Sequence, residues 1–70
     1  MKDITVQKYR IEKGLSQKQF ANILELPRTT VSFYETKRQY PDLQTAEKMA
    51  SILGKTIGQL YSEEELRIIK

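Results

Sequence analysis

Ser16/Gln19, Thr56/Gln59 and Ser62/Glu65 each place a Ser or Thr three positions before a Gln or Glu, at points in this 70-residue chain where a helix can open. Each pair can form a capping box, in which the hydroxyl accepts an orphan backbone N–H and the N3 side chain returns a bond to the cap's own N–H. Asp42 before Leu43 is a further helix start, and Pro27 suits the first turn of a helix, where no N–H is needed. Gly14 and Gly54 stand where helices can end in a left-handed residue. A chain punctuated this often has room only for short helices. The expected elements are a first helix over 4–13, a second from Ser16 to Leu24, a third over 27–36, a fourth from Asp42 to Leu53, a short fifth from Thr56 to Tyr61, and a terminal turn from Ser62.

The apolar residues follow these bounds. Val6 and Tyr9 should face the core, flanked by Ile4 and Ile11. Leu15 and Phe20 form a hydrophobic staple, and Phe20, Ala21, Ile23 and Leu24 make the second stripe. Leu43, Ala46, Met49, Ala50 and Leu53 make another, followed by Ile57, Leu60 and Tyr61. Leu66, Ile68 and Ile69 near the end can dock on the chain's own core, pair with a second copy, or fray. Residues 27–36 are ambiguous locally. Thr29, Thr30 and Val31 are β-branched, and the alternation through Tyr34 allows a strand. Pro27 drives Leu26 out of the α region. A helix would then place Val31 and Tyr34 on one side and fan Arg28, Thr29, Ser32, Phe33 and Thr36 across the other. No other segment offers a partner strand.

The chain has no Cys and no His, which removes disulfides, thiolate metal sites and imidazole chemistry. No metal, cofactor or catalytic residue is expected; Glu63, Glu64 and Glu65 read as favourable charges in a first helical turn. No apolar run approaches the roughly 18 residues of a membrane span, and the N-terminus lacks a signal-peptide core, so a cytoplasmic single domain over 1–70 is expected. Net charge is +3 with a pI near 9.3. It is unevenly spread: residues 1–38 carry a net +4 and residues 39–70 a net −1. The basic half contains the corner between the second and third helices, a distribution that fits either a nucleic-acid partner or an ordinary solvated charged surface.

With these residues in place, the chain resembles the phage repressor/Cro-type helix-turn-helix family, also called the xenobiotic-response-element (XRE) family. The resemblance runs from Val6 to Tyr61 and rests on Tyr-Arg-Ile-Glu-Lys-Gly-Leu-Ser-Gln (9–17), Phe20-Ala21, Thr30-Val31-Ser32, Glu35, Pro41-Asp42-Leu43-Gln44-Thr45-Ala46, Ala50-Ser51-Ile52-Leu53-Gly54 and Leu60-Tyr61. It implies an all-α, lambda-repressor-like bundle of about five short helices. The second and third would form the helix-turn-helix, with the third in the major groove of double-stranded DNA.

Carried over by position, Arg28, Thr29, Ser32 and Phe33 would reach base edges. Gln17, Thr30, Lys37, Arg38, Gln39 and Tyr40 would meet phosphates. Arg10 and Glu35 match an internal tie, with Arg10 also leaning towards a phosphate. The resemblance implies a transcriptional regulator, with repression by steric blockage as the default, binding a two-fold operator as a homodimer; Ile52, Leu66, Ile68 and Ile69 are the interface candidates. The alternative is an antitoxin-like or accessory domain with a protein partner, and an anti-repressor or toxin partner is left open. Three positions depart from the family pattern. Glu25 replaces a corner Gly, at about 1 kcal/mol if the residue is left-handed. Pro27 replaces a Ser/Thr cap, and Thr36-Lys37 replaces a frequent Asn-Gly.

Overall fold

Helices occupy the expected segments in the computed structural model, which describes residues 5–69. The elements are α1 (Thr5–Glu12), α2 (Gln17–Leu24), α3 (Arg28–Glu35), α4 (Leu43–Leu53), α5 (Ile57–Leu60) and α6 (Glu63–Ile68), with no strand among the described residues. The expected terminal turn is α6. All three capping boxes form. Ser16 Oγ accepts from Gln19 N–H at 3.0 Å while Gln19 Oε1 accepts from Ser16 N–H at 2.8 Å. The same reciprocity holds at Thr56/Gln59 and Ser62/Glu65. Asp42 Oδ1 caps α4 through Thr45 N–H at 2.8 Å. Pro27 is the N-cap of α3 rather than a first-turn residue. Its backbone is extended (ψ 146°), and its carbonyl accepts from Thr30 N–H at 3.0 Å.

Four helices end in one way. Gly14, Glu25, Lys37 and Gly54 follow α1, α2, α3 and α4 with φ of 77°, 59°, 64° and 68°. In each case the next residue's N–H reaches back across the turn: Leu15 to Arg10 O, Leu26 to Ala21 O, Arg38 to Phe33 O and Lys55 to Ala50 O, at 2.9–3.1 Å. This is the Schellman arrangement, and it needs a left-handed residue at C′. Glycine adopts it freely, whereas Glu25 and Lys37 do so at a cost of about 1 kcal/mol each.

The core comprises Val6, Phe20, Ala21, Leu24, Val31, Tyr34, Ala46, Met49, Ala50, Leu53, Leu60, Tyr61 and Ile69. Here α2 packs on α3, α1 backs α3, and α4 and α5 close the other side. Of the expected core residues, Tyr9 and Ile57 pack partly buried against it, and three are exposed. Ile11, Ile23 and Leu43 are 59%, 45% and 42% exposed. Ile23 sits roughly 100° around the helix from the middle of the Phe20–Ala21–Leu24 stripe. Ile11 is two positions past Tyr9 and so turns away from the Val6 side. Leu43 opens α4 a turn ahead of Ala46, its first buried residue. Ile4 falls outside the described residues. At the other end Ile69 docks on the chain's own core at 3% exposure, while Ile68 stands out at 63%.

Candidate nucleic-acid interface

The helix α3 sorts its side chains as a helical register requires. Val31, Tyr34 and Glu35 are buried, while Arg28, Thr29 and Phe33 are exposed and Thr30 and Ser32 half-buried. Its β-branched residues are poor helix formers. The helix stands because Val31 and Tyr34 are driven into the core against α1 and α2, and tertiary burial outweighs a propensity deficit of a few tenths of a kcal/mol per residue. Phe33 is the large apolar side chain on the outward face, at 41% exposure.

Beneath that face, a line of hydrogen bonds runs from the interior to the surface. The Arg10 guanidinium grips the Glu35 carboxylate through Nε and again through a terminal nitrogen at 3.3 Å. Its other terminal nitrogen donates to Leu15 O at 2.7 Å. The two side chains are 9% and 3% exposed. Glu35 Oε1 also accepts from Gln17 Nε2 at 2.9 Å, and Gln17 Oε1 in turn accepts from Arg28 at 3.4 Å. A carboxylate on one side and a guanidinium on the other fix which way the Gln17 amide points. The expected tie between α1 and the end of α3 is therefore present, and it extends to Arg28. The Arg10 hydrogen bonds go to Glu35 and to Leu15 O, and the residue is buried, with its side chain 9% exposed.

The loop after α3 divides its expected phosphate contacts. Arg38 and Gln39 are exposed, and their backbone N–H groups both donate to Phe33 O, at 3.0 and 3.3 Å. Lys37 and Tyr40 instead turn back onto the molecule. Lys37 Nζ lies 2.9 Å from Glu65 Oε2 and 4.3 Å from the centroid of the Tyr61 ring. The Tyr40 hydroxyl donates to the same Glu65 oxygen at 3.0 Å, and its ring meets Tyr61 edge-on at 5.9 Å. With its side chain only 14% exposed, Lys37 is engaged within the molecule by Glu65. Burial pushes the Glu65 carboxyl up, but the Ser62 N–H, Lys37 and Tyr40 outweigh that and hold it below its ordinary value. Hydrogen bonding from Thr45 lowers Asp42 in the same way, and burial, helped by Asp42, raises Tyr34.

Sequence reasoning read Glu65 as a first-turn charge and missed its grip on Lys37 and Tyr40. The Ser62 box was the available signal that its carboxylate is held in place; nothing local says what else it holds. Of the four residues expected at a dimer interface, Ile69 is spent on the core. Ile52 and Leu66 pack half-buried against it, which leaves Ile68 as the exposed one.

A sequence profile described as helix-turn-helix matches residues 6–60. The chain is 35% identical over 63 residues to the cryptic phage CTXphi transcriptional repressor RstR of Vibrio cholerae, covering 90% of this chain and 57% of that one. It is 34% identical over 61 residues to the HTH-type transcriptional activator BcrR of Enterococcus faecalis, covering 87% of this chain and 30% of that one. The crystal structure of the hypothetical transcription factor NHTF from Neisseria superposes with a TM-score of 0.72 at 37% identity, over 93% of this chain and 77% of the other. The chain thus spans little more than half the length, or less, of the curated relatives it matches.

Proposed function

The chain belongs to the XRE-type helix-turn-helix family, and on that premise we propose that it binds double-stranded DNA sequence-specifically as a transcriptional regulator, with α3 in the major groove. The observation that carries this reading is the outward face of α3, where Arg28, Thr29 and Phe33 lie exposed and Ser32 half-buried above a buried anchor of Val31, Tyr34 and Glu35. Arginine can bind guanine O6 and N7 bidentately, and Thr29 and Phe33 suit thymine methyl groups. Arg38 and Gln39 supply backbone contacts from the loop, and Gln17 and Thr30 do so from the helix-turn-helix itself. A protein-binding surface would need a broader apolar patch than Phe33 among Arg, Thr and Ser.

Size supports a pair of copies. The described residues measure 28 × 23 × 20 Å, shorter than the roughly 34–36 Å between half-sites one turn apart. One copy therefore reads one half-site, and a two-fold operator calls for a homodimer. Ile68 is the apolar residue offered for it, with Leu66 and Ile52 beside the core edge. One relative is named a repressor and another an activator; we propose repression, in which a bound dimer blocks a promoter. Selection from random duplexes at fixed salt tests the reading. It should return a two-fold site with half-site centres about one helical turn apart. A pool that shows no enrichment would sink sequence-specific binding.

A further inference from the structure

Resting on the DNA-binding reading above, we propose that Glu65 on α6 is a positioning residue for DNA binding, strapping the loop after α3 so that Arg38 and Gln39 meet the phosphate backbone. Lys37 stands at the left-handed C′ position with φ 64°, a conformation that a lysine does not favour by itself. Something must hold it there, and the holding group comes from the far end of the chain. One Glu65 oxygen accepts from Ser62 N–H at 2.9 Å and so closes the start of α6. The other lies 2.9 Å from Lys37 Nζ and 3.0 Å from the Tyr40 hydroxyl. The Tyr61 ring completes the nest, under the Lys37 ammonium and against the edge of Tyr40.

The two ends of the segment 37–40 are thus tied to one carboxylate, and the residues between them are the exposed Arg38 and Gln39. Their backbone N–H groups converge on Phe33 O, the last free turn of α3. Position on the loop is therefore set jointly by the end of the reading helix and by α6. Fixing a side chain before it binds removes part of the ordering cost that binding otherwise carries.

This assignment makes a prediction of unusual sign. By charge alone, Glu65→Gln should tighten DNA binding, since it removes an acid and releases a lysine. If Glu65 positions the loop, the same change should weaken binding. Glutamine keeps the capping box, as Gln19 and Gln59 show in this very chain, so α6 should still start at Ser62. The test compares the unaltered chain, Glu65→Gln and Lys37→Gln on a selected duplex across a salt series, with the folded fraction checked by circular dichroism and amide exchange.

Both variants should bind about tenfold more weakly, with a salt slope lower by about one as the Arg38 contact loses register. Amide exchange should quicken over 37–40 while Phe20 and Val31 keep their protection. Equal or tighter binding by Glu65→Gln would overturn the proposal while leaving DNA recognition intact. If the unaltered chain bound no duplex at all, both would fall. Should Glu65→Gln fail to fold, Tyr40→Phe removes one bond to the same oxygen and should cost about threefold in affinity; unchanged affinity there overturns the assignment.

Discussion

Glu25 and Lys37 occupy the same strained position at the ends of adjacent helices, yet they should answer differently to the same substitution. Glu25 is exposed, and among the described interactions its side chain makes no hydrogen bond or ion pair to compensate a φ of 59°. Glu25→Gly should therefore raise stability by about 1 kcal/mol in urea unfolding. Lys37→Gly relieves equal strain but removes the ion pair with Glu65 and the contact with Tyr61, so its net gain should be near zero or negative. The corner strain at Glu25 was legible, because a non-glycine stood where a left-handed residue was expected. The pairing of Lys37 was not, because its partner lies in a distant segment and no local pattern names it.

Acid should expose the same carboxylates. Asp42 and Glu65 are both held below their ordinary values near pH 4 in the folded chain. A group depressed in the folded state stabilises it fully above its unfolded pKa, and that contribution is lost as pH falls through the folded value. The urea midpoint should thus be flat above about pH 5 and drop below about pH 4. Asp42→Asn keeps a good cap and should make that acid drop shallower; an identical drop would remove Asp42 from the account.

Among the elements, α3 depends most on its neighbours. Its register was recoverable from Pro27, Val31 and Tyr34, and every capped start was recoverable because a capping bond spans only three residues. Helix faces were legible only at their centres. Ile11, Ile23 and Leu43 sit at stripe edges or a first turn, where periodicity alone does not say how far a neighbouring helix reaches. The tie between α1 and α3 is where single changes should hurt most. Removing one partner of a buried ion pair leaves the other uncompensated, at about 3–5 kcal/mol, comparable to the whole stability of a domain this small. Glu35→Ala should accordingly be mostly unfolded by near-ultraviolet dichroism at room temperature. The double change Arg10→Met, Glu35→Leu should refold, but with Gln17 and Arg28 no longer linked to the interior.

At the scale of the whole molecule, the proposed homodimer sets two copies on one face of the duplex. Ile68 is exposed at 63% and outside the core, so Ile68→Ser should leave the melting temperature within about 2 °C while weakening full-operator binding about tenfold. Binding to an isolated half-site should be unchanged. Equal losses on both duplexes would place Ile68 in the fold rather than between copies.

One paired titration tests whether α3 reads bases while the loop behind it grips phosphates. Affinities of Arg28→Ala and Arg38→Ala should be measured on the selected operator and on random duplex across a salt series. Arg28→Ala should lose about 1–3 kcal/mol on the operator and little on random DNA, relaxing preference at one base pair. Arg38→Ala should weaken both duplexes alike and lower the salt slope by about one. Equal losses on operator and random DNA for Arg28→Ala would contradict the account, and would make Arg28 another phosphate contact.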